Sequence, residues 1–289
     1  MAVTDTASTG FFWKLNVLYW EGVDTKNCID SKSSSIIVFL HGLGDGAVAW
    51  KKVIESWPVY HSRPAAIAID LPGHGGSDWW PVENYNVIDV SEHIARFLIA
   101  SGIRDPIFVG HSLGADIAVE LATFAEFRNS VFILVELALE TSSFVREAIK
   151  SYIEILINGD ADLDSLIHRA ANSYPLVDYQ ILQEFLSQLV TSADGRSWVP
   201  HDPRIECFLS AASSDSFSKR VVQMSQSVVL IKGVFSSVLS HRAVAQIAQE
   251  RTGRTLVKVI PSAGHAILLE QPHKLAETLA DLVAGLNNG

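Results

Sequence analysis

The feature that most constrains this chain is the run Gly110-His111-Ser112-Leu113-Gly114. A short apolar stretch at residues 106–109 precedes it, and a segment with helical spacing of apolar residues follows at 115–122. This order predicts a strand, a tight turn and a helix. Small residues two positions before and after the serine keep the turn free of collisions, so that the Ser112 hydroxyl projects at the end of the strand. The helix N-terminus adds partial positive charge beside it.

Three other segments join a predicted strand to a turn that contains glycine. Residues 36–40 run into His41-Gly42-Leu43-Gly44-Asp45-Gly46, and residues 66–70 run into Leu71-Pro72-Gly73-His74-Gly75-Gly76-Ser77-Asp78. Residues 257–260 lead into Pro261-Ser262-Ala263-Gly264-His265. In this order the segments resemble the α/β-hydrolase fold superfamily, over roughly residues 15–138 and 226–286. The middle of the chain carries none of these motifs.

The alternation of strand-like and helical patterns predicts an α/β fold: a mostly parallel, doubly wound sheet of about eight strands. The predicted strands are residues 12–19, 36–40, 66–69, 107–109, 131–137, 228–232 and 256–260, with a further strand near Cys28 left open. Helical spacing replaces the strand pattern at residues 142–157, 162–172, 178–191 and 203–212. We therefore expect a core domain of residues 1–138 and 226–289. A helical cap, or lid, is expected at residues 139–225, which the resemblance places after strand 6.

A serine hydroxyl is a poor nucleophile at neutral pH and needs a general base. The resemblance implies the order serine, acid, histidine along the chain, and His265 fits because it follows a strand and a tight turn late in the sequence. Two backbone N–H groups are expected to hold the oxyanion. The resemblance assigns them to Leu113 and to Leu43, which follows the His-Gly pair after the strand at 36–40.

The acid is where the chain departs from the family. The resemblance implies an aspartate after the strand at 228–232, but the segment reads Gly233-Val234-Phe235-Ser236. Some members of the superfamily place the acid after the sixth strand instead, where this chain has Glu136 and, four residues on, Glu140. A carboxylate ending an apolar strand is costly unless it is paired, which favours Glu136. A Ser-His dyad without an acid is the remaining alternative.

Substrate contacts are expected at the loop rims and in the predicted cap. His41, Gly42, His111 and Trp50 are the candidates for lining the pocket, although His41 is also expected to brace its own loop. The predicted cap is rich in aromatic residues, which suits an apolar or aromatic group. These aromatic residues are Phe144, Tyr152, Tyr174, Tyr179, Phe185, Trp198 and Phe208.

Composition excludes several classes of partner. The formal net charge of −10 argues against nucleic acid, because nothing would neutralise phosphates. No run is long enough to span a bilayer, and the polar N-terminus lacks the features of a secretory signal. The two cysteines, Cys28 and Cys207, fit a reduced, cytoplasmic setting. No cofactor or metal site is expected, since His168, His201 and Asp202 lack ligand spacing.

The sequence therefore predicts a serine hydrolase of the carboxylesterase or thioesterase type. Its substrate would be an ester or thioester of an apolar or aromatic small molecule, including an acyl group on a carrier, cleaved through an acyl-enzyme on Ser112. Lactone, amide and carbon–carbon bond hydrolysis remain open. Two alternatives of other classes also remain: a lyase that uses Ser112 and His265 for proton transfer, and a ligand-binding protein with weak or no turnover.

Overall fold

A computed structural model describes residues 3–7, 13–20, 36–139, 142–209 and 214–287 of the chain. Its centre is an eight-stranded sheet with the strand order β1-β2-β4-β3-β5-β6-β9-β10. The strands of this sheet are β1 (Val3–Ala7), β2 (Leu15–Trp20), β3 (Ile37–Leu40), β4 (Ala66–Ile69), β5 (Ile107–His111), β6 (Val131–Val135), β9 (Ser227–Gly233) and β10 (Thr255–Ile260).

Six neighbouring strands, from β4 to β10, are parallel, whereas β2 pairs antiparallel with both β1 and β4. The central strands are buried on both faces and therefore read as continuous apolar runs. Alternate residues of β3 enter different cores: Val38 and Leu40 contribute to one, and Ile37 and Phe39 to the other.

Helices cover both faces of the sheet, as a doubly wound fold requires. The helices α2 (Val87–Ala100), α3 (Leu113–Leu121) and α8 (His241–Glu250) contribute buried residues to the core on one face. The helices α1 (Lys51–Glu55), α9 (Ile267–Glu270) and α10 (Pro272–Asn287) contribute to the core on the other face. This fold class is the one that the sequence predicts.

Strand order reverses at β3, which pairs with β4 on one side and with β5 on the other. In open α/β sheets, ligands bind in the crevice beyond the carboxyl ends of the strands at such a switch point. The turn that carries Ser112 follows β5, and the loop that carries Leu43 follows β3. The topology therefore brings these two segments to the same crevice.

The chain between β6 and β9 is mostly helical, and we call residues 142–209 the insertion. It contains α4 (Ser143–Asn158), α5 (Leu163–Ala171), α6 (Tyr179–Leu189), the hairpin of β7 (Thr191–Ala193) and β8 (Arg196–Trp198), and a 3₁₀ segment (Pro203–Leu209). Each α-helix begins at a side-chain cap: Ser142, Asp162 and Asp178 accept hydrogen bonds from backbone N–H groups of the first turn. The helix α7 (Ser214–Gln223) then leads to β9.

Several elements differ from the sequence prediction. The strand β1 and the β7–β8 hairpin are additional, and the helix expected at 203–212 is a 3₁₀ segment over Pro203–Leu209. The strand β6 ends at Val135 rather than at Leu137, because Glu136 has a φ of 52°. The further strand near Cys28 falls on residues outside the described ranges.

A cluster of aromatic side chains in the core on one face of the sheet gives the first testable prediction. Phe108 is fully buried, with its ring 5.1 Å from those of Phe132 and Phe127. We expect Phe108→Ala to lower the free energy of unfolding by about 3–5 kcal/mol, because it leaves a cavity that the sheet cannot close. Phe108→Leu keeps much of the volume and will cost less than about 1.5 kcal/mol. Urea titration measures both, and equal losses in the two variants would contradict this view of the core.

Candidate active site

Ser112 lies on a strained turn between β5 and α3, with φ 51° and ψ −116°. Its backbone N–H donates to Val135 O at 3.0 Å, which ties the turn to the end of β6. A Cβ on Gly110 would overlap the carbonyl of Gly114, and one on Gly114 would overlap the carbonyl of Leu40. Both glycines are therefore needed for this backbone to pass so close to its neighbours.

His265 stands between Ser112 and Glu136. Its Nε2 is 3.1 Å from Ser112 Oγ, and its Nδ1 is 3.1 Å from Glu136 Oε2. The loop that carries His265 is anchored on both sides. His111 Nε2 donates to the His265 carbonyl at 2.8 Å, and Gly264 N donates to Glu270 Oε2 at 2.5 Å. The imidazole is therefore held with one nitrogen towards the hydroxyl and the other towards the carboxylate.

Glu136 is fully buried and has hydrogen-bond donors on both oxygens. Gly233 N donates to Oε1 at 2.7 Å, and Ser236 Oγ donates to Oε2 at 2.6 Å. A buried carboxylate is stable only when it is hydrogen-bonded in this way. Ser236, which stands where the family pattern has aspartate, thus contacts the carboxylate from the turn after β9. The alternative acid, Glu140, lies outside the described residues.

The loop after β3 is held in place by three buried histidines. Gly44 N donates to His74 Nε2 at 3.1 Å, and Gly44 O accepts a hydrogen bond from His201 Nε2 at 3.1 Å. His41 Nε2 accepts from Leu71 N at 2.9 Å. Burial is the main cause that lowers the pKa of His41, His74 and His201 to about 3 in each case. These rings are therefore neutral at physiological pH and act on the loop as hydrogen-bonding groups.

His201 is the residue whose contact with this loop the sequence does not reveal. It belongs to the insertion, 157 positions from Gly44. The next residue, Asp202, is also buried, where Tyr85 Oη donates to it at 2.6 Å. The insertion is thus hydrogen-bonded directly to the loop that carries Leu43. No local sequence pattern predicts a contact between residues so far apart in the chain.

A second buried group that sequence reasoning missed is Asp45. Its Oδ2 lies 3.8 Å from His111 Nδ1. Burial raises the pKa of the Asp45 carboxyl to about 7, against the opposing influence of His265 and of a hydrogen bond from the loop backbone. Burial likewise lowers the pKa of His111 to about 3, with His265 adding to the shift. The loop after β3 therefore places a second carboxyl group close to the candidate site.

A cavity of about 50 Å³ opens beside Ser112 and His265. Its walls are mostly apolar and come from the core and the insertion alike. The other lining residues are Leu43, Leu113, Asp116, Ala138, Arg146, Ile149, Phe208, Leu209 and Val238. Leu43 and Leu113, the residues predicted to hold an oxyanion, thus lie at the same cavity as Ser112, and Leu113 begins α3.

The four predicted pocket residues do not line this cavity. Trp50 is fully buried and packs against Phe39, with ring centroids 4.8 Å apart. The side chains of His41 and His111 are committed to backbone partners in neighbouring loops, and Gly42 lies against the His111 ring. Of the aromatic residues expected in the cap, Phe208 alone is among the lining residues, whereas Phe144 is 81% exposed. The His111 ring nevertheless lies close to the site, with its centroid 5.0 Å from that of His265.

The described ranges contain no group of three or more His, Cys, Asp or Glu side chains placed to hold a metal ion. None of the helices described combines the length and the apolar character needed to cross a membrane.

Comparison with known proteins assigns the family. A model of the alpha/beta hydrolase family matches residues 37–278. The chain belongs to this family. It is a hydrolase. Among curated proteins it is similar to esterase Rv0045c of Mycobacterium tuberculosis, with 27% identity over 85% of this chain and 81% of that protein. The crystal structure of the same esterase has a TM-score of 0.72, with 23% identity over 100% of this chain and 92% of that one.

Two other similarities are informative. The crystal structure of E-2-(acetamidomethylene)succinate hydrolase has a TM-score of 0.80 and 18% identity, with full coverage of both chains, which shows the shared fold. The 2-succinyl-6-hydroxy-2,4-cyclohexadiene-1-carboxylate synthase of Escherichia coli is 35% identical over 86 residues, which span 30% of this chain and 32% of that protein. The synthase similarity is therefore confined to one part of the family domain.

The buried His201 generates a prediction about acid stability. Its pKa of about 3 lies below the ordinary value of 6.5, so the unfolded chain binds a proton that the folded chain does not. The contribution of the neutral ring is therefore complete above pH 6.5 and is lost as pH falls from 6.5 towards 3. His201→Gln retains an N–H donor for Gly44 O but does not titrate. We expect its free energy of unfolding to fall less steeply with acid, by about 1.4 kcal/mol per pH unit at most.

Urea unfolding at several pH values between 3 and 6.5 measures this slope. His241→Gln, which changes an exposed histidine at the start of α8, is the matched control. Parallel stability curves for wild type and His201→Gln would contradict this prediction. They would show that His201 binds a proton equally well in the folded and in the unfolded protein.

Proposed function

We propose that the protein is a serine esterase of the carboxylesterase or thioesterase type, with Ser112 as the nucleophile, His265 as the general base and Glu136 as the acid. The observation that carries the proposal is the continuous chain of contacts at 3.1 Å from Ser112 Oγ through the His265 ring to Glu136 Oε2. Similarity to an esterase over 85% of the chain supports the same class of reaction.

The proposed reaction begins when His265 Nε2 takes the proton of Ser112 as Oγ attacks the carbonyl carbon of an ester or thioester. The backbone N–H groups of Leu43 and Leu113 stabilise the oxyanion of the tetrahedral intermediate. The imidazolium then protonates the leaving group and an acyl-serine forms. Water, activated by the same ring, releases the acid and regenerates Ser112. Glu136 stabilises the imidazolium and keeps a proton on Nδ1, so that Nε2 is free to accept one.

The described contacts favour this role for Glu136 over a Ser-His dyad. Glu136 approaches His265 with one oxygen, while Gly233 N and Ser236 Oγ hold the carboxylate in place. The positive φ of Glu136 turns its side chain out of the register of β6 and towards the end of β9. Ser236 then serves as a hydrogen-bond donor to the acid instead of providing the acid itself.

We also propose that residues 139–225 act as a cap over a core of residues 1–138 and 226–289. Arg146, Ile149 and Phe208 of the insertion share the cavity with Ser112, which supports this division. The mostly apolar walls favour an apolar acyl group of small size. A lyase reaction is less well supported, because the synthase relative matches less than a third of either chain.

Loss of the nucleophile tests the proposal. We expect Ser112→Ala to lower kcat for p-nitrophenyl butyrate or a short acyl thioester by at least about a thousandfold, because no other group can form the acyl-enzyme. Wild type, but not Ser112→Ala, will form a stable adduct with a fluorophosphonate, located on Ser112 by mass spectrometry. Ser187→Ala, at an exposed serine of α6, is the matched control for both assays. Full turnover by Ser112→Ala would refute the assignment.

Exchange of the acid between strands tests the role of Glu136. We expect Glu136→Gln to lower kcat by a factor of about a hundred to ten thousand, because the amide keeps the shape but loses the charge. Adding Ser236→Asp to that variant will restore part of the rate, since Ser236 Oγ lies 2.6 Å from the Glu136 carboxylate. Ser236→Asp alone is the control for the second substitution. A Glu136→Gln enzyme with the wild-type rate would leave the dyad as the working arrangement.

A further inference from the structure

One buried lysine has no role in the reaction as derived. Lys232, the residue before Gly233 on β9, is 1% exposed. Lysine is almost never buried to this extent unless its charge is paired. The described lysines that form ion pairs are Lys52, Lys150 and Lys274, and Lys232 is not among them. A buried ammonium group without such a pair is destabilising.

The hydrogen bond that Lys232 forms does not account for its burial. Its Nζ donates to Gly233 O at 2.9 Å. The same carbonyl also accepts from Ser236 N at 3.2 Å, so it has a partner without the lysine. One hydrogen bond to a neutral group does not offset the transfer of an ammonium group out of water. What Lys232 adds at this place is a positive charge at the carboxyl end of β9.

This charge lies near the Glu136 carboxylate. Val135 pairs with Ile231 in the parallel register of β6 and β9, and Glu136 N donates to Ile231 O at 2.8 Å. Lys232 and Glu136 are therefore the next residues along the two neighbouring segments. Gly233 connects their charged groups, because its carbonyl accepts from Lys232 Nζ and its N–H donates to Glu136 Oε1 at 2.7 Å. Standard backbone bond lengths then keep Nζ within about 10 Å of that oxygen.

The other titratable groups that face Glu136 and His265 are acidic or neutral. Burial is the main cause that raises the pKa of Glu270, on α9, and the nearby Glu136 adds to the shift. Burial also raises the pKa of Asp45, in the loop after β3, to about 7. It lowers the pKa of His111, at the end of β5, to about 3, so this ring is neutral at physiological pH. None of these three groups provides a positive charge for the buried carboxylate.

We propose that Lys232 is a positioning residue whose buried ammonium group keeps Glu136 ionised and thereby keeps a proton on Nδ1 of His265. A positive charge that water does not screen favours the charged form of a carboxyl group and disfavours the protonated form of a nearby imidazole. Both effects lower the pH at which Glu136 and His265 lose their working protonation states. This inference rests on the proposed esterase function, since Lys232 acts through the proposed acid.

The acid limb of the pH profile tests this role. kcat/KM for p-nitrophenyl butyrate is measured between about pH 4 and 8 in wild type, Lys232→Gln and Lys232→Met, with the released butyrate measured by chromatography. Glutamine keeps an N–H donor for Gly233 O but carries no charge, whereas methionine removes both. We expect the midpoint of the acid limb to move to higher pH by about half a unit to one unit in both variants, because each loses one charge within about 10 Å of the acid. Lys232→Arg, which keeps the charge, will keep the wild-type midpoint.

Lys258→Met is the matched control. It removes the same charge from the neighbouring strand β10, but from an exposed position where water and salt screen it, so the midpoint will stay in place. Circular dichroism verifies the folding of each variant. A purely structural role of Lys232 would lower stability or kcat without moving the midpoint.

The charge of Lys232 is also measurable in the wild type. Nitrogen-15 NMR of lysine-labelled enzyme, with Lys232 assigned from the Lys232→Arg spectrum, distinguishes an ammonium group from a neutral amine. We expect an ammonium group at every pH of the acid limb. This measurement does not depend on whether the neutral variants fold.

The outcomes separate this inference from the proposed function. Acid-limb midpoints of Lys232→Gln and Lys232→Met that agree with the wild type within about 0.2 pH unit, or a neutral Lys232 amine in the active wild type, would overturn the role of Lys232 and leave the esterase proposal standing. Failure of the wild type to hydrolyse the ester, together with no fluorophosphonate adduct on Ser112, would overturn the esterase proposal and the inference with it.

Discussion

The hydrogen bonding of the buried Glu136 carboxylate is the interaction on which the arrangement of the site depends. The carboxylate lies at the end of an apolar strand, where an unpaired charge would be strongly destabilising. Gly233 N and Ser236 Oγ, from the end of β9, satisfy it together with His265 Nδ1. The same contacts join the ends of β6 and β9 to the loop that carries His265. The orientation of the imidazole towards Ser112 is therefore a consequence of satisfying a buried charge.

The loop after β3 shows the same principle with neutral groups. The backbone N–H of Gly44 in this loop donates to His74, and its carbonyl accepts from His201. Since His201 comes from the insertion, the insertion is hydrogen-bonded directly to the loop that carries Leu43. The insertion thus contributes to the cavity wall and also contacts the loop in which we propose an oxyanion donor.

The sequence was informative where structure depends on local pattern. The buried parallel strands read as apolar runs, and the turn at Ser112 needs glycines that are visible as a motif. The sequence also singled out Ser112, His265 and Glu136, which the structure brings together, while their catalytic roles remain our proposal. The expected end of β6 was wrong, because the positive φ of Glu136 arises from its partners on β9.

Features that depend on distant contacts were not predictable. The β7–β8 hairpin is polar and short, and its pairing carries no period that distinguishes it from a loop. The buried states of Asp45 and His201 follow from packing between elements far apart in the chain. His41 and Trp50, which were predicted to line the pocket, are fully buried by packing that no local pattern reveals.

The tautomer of the His265 ring tests the central claim most directly. We claim that the Glu136 carboxylate holds a proton on Nδ1 and thereby leaves Nε2 as the acceptor for Ser112. Nitrogen-15 NMR of histidine-labelled enzyme at neutral pH, with His265 assigned from the His265→Gln spectrum, distinguishes the two neutral tautomers. We predict the Nδ1–H tautomer in the wild type and a shift towards the Nε2–H tautomer in Glu136→Gln. An Nε2–H tautomer in the wild type, or identical His265 signals in the two enzymes, would contradict the account.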